Sequence, residues 1–153
     1  MSDMPLDITP QVMILEARFK NLDRVRTFVA EFAEAYELGS AGVYRVQLAV
    51  DEAFTNIVEH AYGGESDEKI ECSCQITDDG LVITLRDCGQ PFIPEEVPAP
   101  DIEADLEQRE VGGLGLFFIR QLMDEVEFKF INQGVEKPRC NMLRMVKRKE
   151  NPV

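Results

Sequence analysis

No Cys-x-x-Cys pair occurs in the sequence, and it holds one histidine, His60. Zinc sites draw on closely spaced Cys and His ligands, so both shortages argue against one. No apolar run reaches the roughly 18 residues of a membrane span, so no membrane segment is expected. The first residues, Met1-Ser2-Asp3-Met4-Pro5, carry no basic stretch followed by an apolar one. No signal peptide is therefore expected, and the expected address is the cytoplasm. Bases are also scarce: 16 Lys and Arg stand against 29 Asp and Glu, for a net charge of −13. A nucleic-acid backbone would repel such a chain unless it carried a local basic patch. The basic cluster Arg144, Lys147, Arg148 and Lys149 reads as a frayed, solvated tail. Direct nucleic-acid contact is not expected, and a basic protein partner fits the charge better.

What remains is ordinary globular composition, 44% hydrophobic and 29% charged over 153 residues, enough for one domain with a real core. A single domain over 1–153 is expected, with its core at about 12–148. Cys72 and Cys74 lie two apart in a probable strand, so they share a face and read as buried, reduced thiols.

The run Val12 to Phe19 predicts a first strand over 11–19. Asn21 is placed to cap a helix with Asp23 in its first turn, and Leu22, Val25, Phe28, Val29, Phe32 and Ala33 recur at helical spacing up to Gly39. Ser40 is placed to cap a second helix, running to about Tyr62 and ended by Gly63-Gly64. Strands follow at about 68–77 and 80–87, joined through Asp78-Asp79-Gly80, a strong hairpin signal. From 90 to 111 the chain holds four prolines and many acids, and a stretch of that kind reads as a lid. A helix over about 115–123 and strands over about 125–132 and 139–147 close the chain. Helices do not alternate with strands, so the expected class is α+β: a two-layer sandwich of a mixed, mostly antiparallel sheet with helices on one face.

Three groups of residues carry chemistry. Glu52, Asn56 and His60 are each four apart on the second helix, a polar stripe beside the apolar side formed by Val46, Val50, Ala53, Ile57 and Ala61. Asparagine is mildly unfavourable inside a helix, which makes Asn56 the most informative of the three. Its amide oxygen suits a hard cation such as magnesium. Asp87-Cys88-Gly89 follows an apolar strand, and an ionised carboxylate there could accept from an exocyclic amine such as adenine's. Gly89 would let the backbone approach a flat ring. Cys88 is an unusual occupant of this turn and reads as a packing residue. Gly112-Gly113-Leu114-Gly115 opens a helix, where free N–H groups and the helix dipole favour an anion. No Gly-Lys-Ser/Thr follows, so this is not a P-loop, and the spacing is not a dinucleotide fingerprint.

In this order and spacing the pieces resemble the GHKL ATPase superfamily, with its Bergerat ATP-binding fold. The nearest likeness is to bacterial anti-sigma-factor serine/threonine kinases, whose N-box reads Glu-x-x-x-Asn-x-x-x-His. Here that box is Glu52, Asn56 and His60; the runs Gly112 to Val126 and Asn141 to Lys147 are also similar, so the likeness spans about 12–148. It implies ATP and Mg2+ as ligands. Glu52 would be the general base and Asn56 the magnesium residue. Asp87 would meet the adenine amine, and Gly89, Gly113 and Gly115, with Leu114 between the last two, would let backbone and phosphates approach. Arg109 would reach the γ-phosphate, and Arg26 would contact a sigma factor or its antagonist. His60 would be structural.

The resemblance implies an anti-sigma regulatory factor that phosphorylates an anti-anti-sigma protein and sequesters a sigma factor, and it allows a homodimer. Two alternatives stand beside it. One is an interaction module that binds ATP without transferring phosphate. The other is a histidine-kinase-like catalytic domain, ranked lower because no phosphoacceptor histidine precedes the N-box. Seven lid acids, Glu95, Glu96, Asp101, Glu103, Asp105, Glu107 and Glu110, would repel a triphosphate unless they face outward.

Overall fold

The computed structural model describes residues 10–92, 115–132 and 139–149. Strand β1 is Gln11–Glu16, helix α1 is Leu22–Ala35 and helix α2 is Gly39–Asn56, continued by a π-helical turn, Ile57–Ala61. Strands β2, Lys69–Thr77, and β3, Gly80–Asp87, form a hairpin; α3 is Gly115–Leu122, and β4, Glu125–Asn132, precedes β5, Arg139–Lys147. The strands form a single sheet in the order β1-β2-β3-β5-β4. Every described pairing is antiparallel, where the sequence allowed a mixed sheet.

Register explains which side chains meet. The cross-sheet row Met13, Cys72, Leu85, Leu143 and Phe128 lies on the face that packs against the helices. One row further along on the same face stand Leu15, Ile70, Asp87, Asn141 and Phe130. Two polar residues therefore sit in line with an apolar core face, and the period-two geometry of a strand turns them inward. Val25, Val29 and Ala33 of α1 and Val46, Val50, Ala53 and Phe54 of α2 are buried against that face. Each of the valines and the phenylalanine contributes about 1.5–3 kcal/mol relative to an exposed one, and the alanines less.

Several local expectations change. β1 stops at Glu16 and a 3-10 turn, Phe19–Asn21, precedes α1. Asn21 does stand at the helix start, but its side chain makes no cap bond; it donates to the Glu16 carbonyl at 2.9 Å instead. Ser40 is inside the first turn of α2, which Leu38 precedes as cap. The basic cluster is not a loose tail. Arg144 and Lys147 belong to β5, and Lys147 is buried with Asp124 at 3.7 Å. Arg148 pairs with Glu125, and Lys149 pairs with Glu37 at 3.8 Å and lies over the Tyr36 ring. Among the described residues no helix is long and apolar enough to cross a membrane.

Candidate functional site

Asp87 ends β3, and Asn141 faces it across the ladder on β5. The Asn141 side-chain amide donates to Asp87 Oδ1 at 2.9 Å and to the Gln90 carbonyl at 3.2 Å. The Gly89 backbone N–H donates to the same Asp87 oxygen at 3.0 Å. With Oδ1 committed to these donors, an amine would be met by Oδ2. Burial pushes the Asp87 carboxyl up, and the bonds from Asn141 and Gly89 pull it back. Asp87 and Asn141 are each only 2% exposed.

The turn after Asp87 is pinned to the end of α2. Gln90 N–H donates to the Ala61 carbonyl at 2.7 Å, and Cys88 N–H donates to the Tyr62 hydroxyl at 3.2 Å. That hydroxyl donates in turn to the Lys69 carbonyl at 2.7 Å. A Cβ on Gly89 would stand 2.6 Å from the Ala61 carbonyl oxygen and 2.8 Å from the Tyr62 ring. The close approach that requires glycine is thus to the helix end, not to a ligand ring. The π-helical turn, closed by Tyr62 N–H on the Ile57 carbonyl at 3.1 Å, sets Ala61 in that position. Widened turns of this kind recur at functional sites.

Between α2, α3 and the sheet lies a narrow, largely closed slot with about 10 Å³ of free space, room for about one water. Asn56, Asp87 and Asn141 supply its polar lining, while Ile57, Leu85, Ile119 and Phe128 line it with apolar side chains and Phe92 closes one side. The Phe92 ring lies 6.0 Å from His60 and 5.7 Å from Phe128. The lining is of the kind that binds flat heteroaromatic rings, apolar with a few convergent polar groups, but a ring enters only if the walls, Phe92 among them, move apart.

Residues 15–147 match the family described as the histidine kinase-like ATPase domain. The chain belongs to that family. Among curated proteins it is 31% identical over 121 residues to the serine-protein kinase RsbW of Halalkalibacterium halodurans, covering 76% of this chain and 74% of the relative. It is 39% identical over 94 residues to the serine-protein kinase RsbW of Listeria monocytogenes serovar 1/2a, covering 59% of each. The chain thus spans under two thirds of that relative's length. A crystal structure of the RsbU and RsbW domains of a Mycobacterium tuberculosis protein superposes with a TM-score of 0.63 at 18% identity, covering 94% of this chain and 33% of that one. The shared fold is the one expected from the boxes, an α+β Bergerat sandwich near the RsbW-type proteins of the GHKL superfamily.

Asn56 is 2% exposed, and its side-chain oxygen is buried without a hydrogen-bond partner. An orphan buried acceptor carries a cost unless something fills it. A hard cation that keeps most of its ligands as water and phosphate oxygens fits that atom. Among the described residues no group of three His, Cys, Asp or Glu side chains could hold a metal alone.

One turn earlier on α2, Glu52 is 9% exposed and its Oε2 is likewise buried and unpartnered. Burial first, and then the charges of Glu59 and Asp51, push its carboxyl up to about 7. Glu52 lines a separate opening with Leu48, Asp51, Thr55, Phe118 and Leu122. On its flank, Arg26 of α1 donates to Asp51 at 2.6 Å and to Asp23 at 2.8 Å. Burial holds the Asp51 carboxyl up although Arg26 pulls it down.

Gly115 opens α3 as read from the sequence. Arg109, Gly113, Leu114 and the stretch 93–111 of the lid lie outside the described residues. His60 falls within the π-helical turn with its Nε2 buried and unpartnered. The sequence reading did not single out Asn141, Phe92 or Phe128. Asn141 lies in a strand that also holds Arg139, Arg144 and Lys147, so its polarity alone did not mark it. Cys88 is not a packing residue; it is exposed and disulfide-bonded to Cys140. Cys72 and Cys74 are buried free thiols, as read.

Proposed function

We propose that the chain is an anti-sigma regulatory factor with ATP-dependent serine/threonine kinase activity, phosphorylating an anti-anti-sigma protein and holding a sigma factor when that antagonist is unavailable. One observation carries the reading: a buried carboxylate held near 7, Glu52, stands one helical turn from an orphan amide oxygen, Asn56. A general base works best when its pKa lies near the working pH. The two residues open to different spaces, Asn56 to the nucleotide cavity and Glu52 to the opening between α2 and α3. An acceptor hydroxyl entering the second space would meet the base without displacing the nucleotide ring.

In the proposed transfer, Glu52 takes the proton of the acceptor hydroxyl as its oxygen bonds to the γ-phosphorus. The bond from that phosphorus to the β–γ bridging oxygen breaks, and ADP leaves. Magnesium, when bound, would neutralise phosphate charge. Asp87, oriented by Asn141 and Gly89, would fix the purine, while Gly113, Leu114 and Gly115 would let the phosphates approach. Arg109 would contact the γ-phosphate. Arg26, anchored on Asp51 beside the base, would extend the contact surface toward the partner protein.

The test is incubation with labelled ATP, magnesium and candidate antagonist proteins, followed by phosphoamino-acid mapping. Phosphoserine or phosphothreonine that disappears with Glu52→Gln is the expected result. Bound ATP with no label on any candidate would sink the kinase reading and leave a nucleotide-dependent interaction module.

A further inference from the structure

Cys88 and Cys140 are 52 residues apart in sequence, yet the ladder that pairs Asp87 with Asn141 brings them opposite each other as its next pair, with Cα atoms 4.1 Å apart. Their sulfurs are bonded. The disulfide therefore ties together the two backbones that carry the Asp87–Asn141 hydrogen bond, one residue from it on each strand. It also anchors the start of the segment that runs through Gln90 to Phe92, and Phe92 is a wall of the nucleotide cavity.

The surroundings of the two sulfurs differ. Residue 88 is exposed and Cys140 is fully buried. The Arg86 guanidinium donates toward Cys140 Sγ at 4.0 Å. A cation beside a sulfur favours its thiolate, and a better thiolate is a better leaving group. Attack from solvent is thus directed at Cys88, with Cys140 departing. The other pair offers nothing comparable. Cys72 and Cys74 are buried in the core, and the hydrogen bond between the Cys74 thiol and Cys72, then burial, push the Cys74 thiol up.

We propose that Cys88–Cys140 is a thiol–disulfide exchange site, read by a dithiol reductant, that sets nucleotide affinity through the Asp87–Asn141 pair. A thiolate of the dithiol attacks Cys88 Sγ, a mixed disulfide forms, and Cys140 leaves as a thiolate that takes up a proton. The second thiol of the reductant attacks its own sulfur in the mixed disulfide and releases Cys88. The protein gains two electrons and two protons, and the dithiol becomes a disulfide. Re-oxidation runs the same exchange backward with a disulfide such as oxidised glutathione. Disulfides that persist only under some conditions are the regulatory ones in reducing compartments. The oxidised form holds Asp87 and Asn141 pre-organised, so it binds nucleotide more tightly.

The coupling rests on the nucleotide-binding reading above, and the experiment separates the two. The full chain is equilibrated in oxidised glutathione or in the dithiol dithiothreitol, and its thiols are counted by alkylation after denaturation. A fluorescent ADP analogue with magnesium is then titrated into each form. The expected counts are two thiols oxidised and four reduced, with affinity falling about three- to tenfold on reduction. The double variant Cys88→Ser, Cys140→Ser is expected to show the reduced affinity in both buffers. Four thiols in oxidised glutathione would overturn the exchange site. Equal affinity in the two forms would overturn the coupling while leaving nucleotide binding intact. No binding in either form would overturn the coupling and the nucleotide reading together.

Discussion

Glu52 and Asn56 are buried on the same helix with an unpartnered oxygen each, and such atoms cost stability in the empty site. Their substitutions should therefore separate function from folding. For Glu52 the sign follows from proton binding. The folded chain holds the proton to about 7, against an ordinary value of 4.5, so between those pH values the folded state binds more protons. The residue's contribution to stability is fully present below about 4.5 and is lost as pH rises through about 7. Glu52→Gln should accordingly stabilise the fold at pH 8 by on the order of 1–3 kcal/mol relative to the parent, and by almost nothing at pH 4, in urea unfolding. The same variant should lose phosphotransfer by about 10²-fold or more while retaining ADP affinity. In the parent, phosphotransfer should rise with pH through about 7 as the base ionises. A flat pH profile, or undiminished activity of the glutamine variant, would contradict the assignment. For Asn56→Ala, loss of magnesium-dependent nucleotide affinity is expected with a change in unfolding free energy within about 1 kcal/mol. Retained affinity would remove Asn56 as the metal residue.

At the scale of elements, the junction between the β3 end and the α2 end decides whether the cavity exists. A Cβ at Gly89 meets a backbone carbonyl, which cannot swing aside as a flexible side chain would. Gly89→Ala should cost about 1–3 kcal/mol, as overpacking does, and should weaken nucleotide binding by moving Asp87. Asn141→Leu should cost a similar ~1–3 kcal/mol because it strips a donor from a buried carboxylate, and it should raise the Asp87 carboxyl further. Calorimetric unfolding together with nucleotide titration checks both. Much of this junction was legible beforehand. The boundaries of β3 and β5 fell where the alternation ended, because burial of one sheet face imposes a strict period of two. Asp87 was legible as the polar end of an apolar strand, and the α2 stripe by its spacing of four on a helix. The π-helical turn was not, since the apolar spacing of Ile57, Val58 and Ala61 continues the helix pattern without a glycine or proline to mark a change. Asn141 and the Cys88–Cys140 bond were hidden because they depend on a register between strands more than 50 residues apart. The C-terminal bases looked solvated for a related reason: their partners Asp124, Glu125 and Glu37 are brought to them by the fold.

For the whole molecule the governing quantity is a net charge of −13 on 153 residues. Of the C-terminal bases that stood out in the sequence, Lys147, Arg148 and Lys149 are engaged with acids, so these three do not offer a free positive patch. Excess acid that is not paired repels itself in the compact state more than in the extended one. Salt shortens the reach of that repulsion, from about 30 Å at 0.01 M to about 8 Å at 0.15 M. The pairs on the surface lose attraction over the same range, yet exposed pairs are worth at most about 1 kcal/mol each. Arg18 with Asp67, Lys69 with Glu16 and Lys149 with Glu37 are pairs of this weak kind. Repulsion should therefore dominate the balance. Raising sodium chloride from about 0.01 M to about 0.15 M at pH 7.5 should raise the melting temperature by a few degrees, the shift that about 1 kcal/mol produces in a chain of this size. If Asn56 is the metal residue proposed above, magnesium chloride at matched ionic strength should add little without nucleotide, because Asn56 would supply one protein oxygen, and more with ADP present, because phosphate oxygens would complete the site. A fall in melting temperature with sodium chloride would show that the ion pairs, not the excess charge, govern the compact state. An equal magnesium effect with and without ADP would place the cation on the acidic surface instead of beside Asn56.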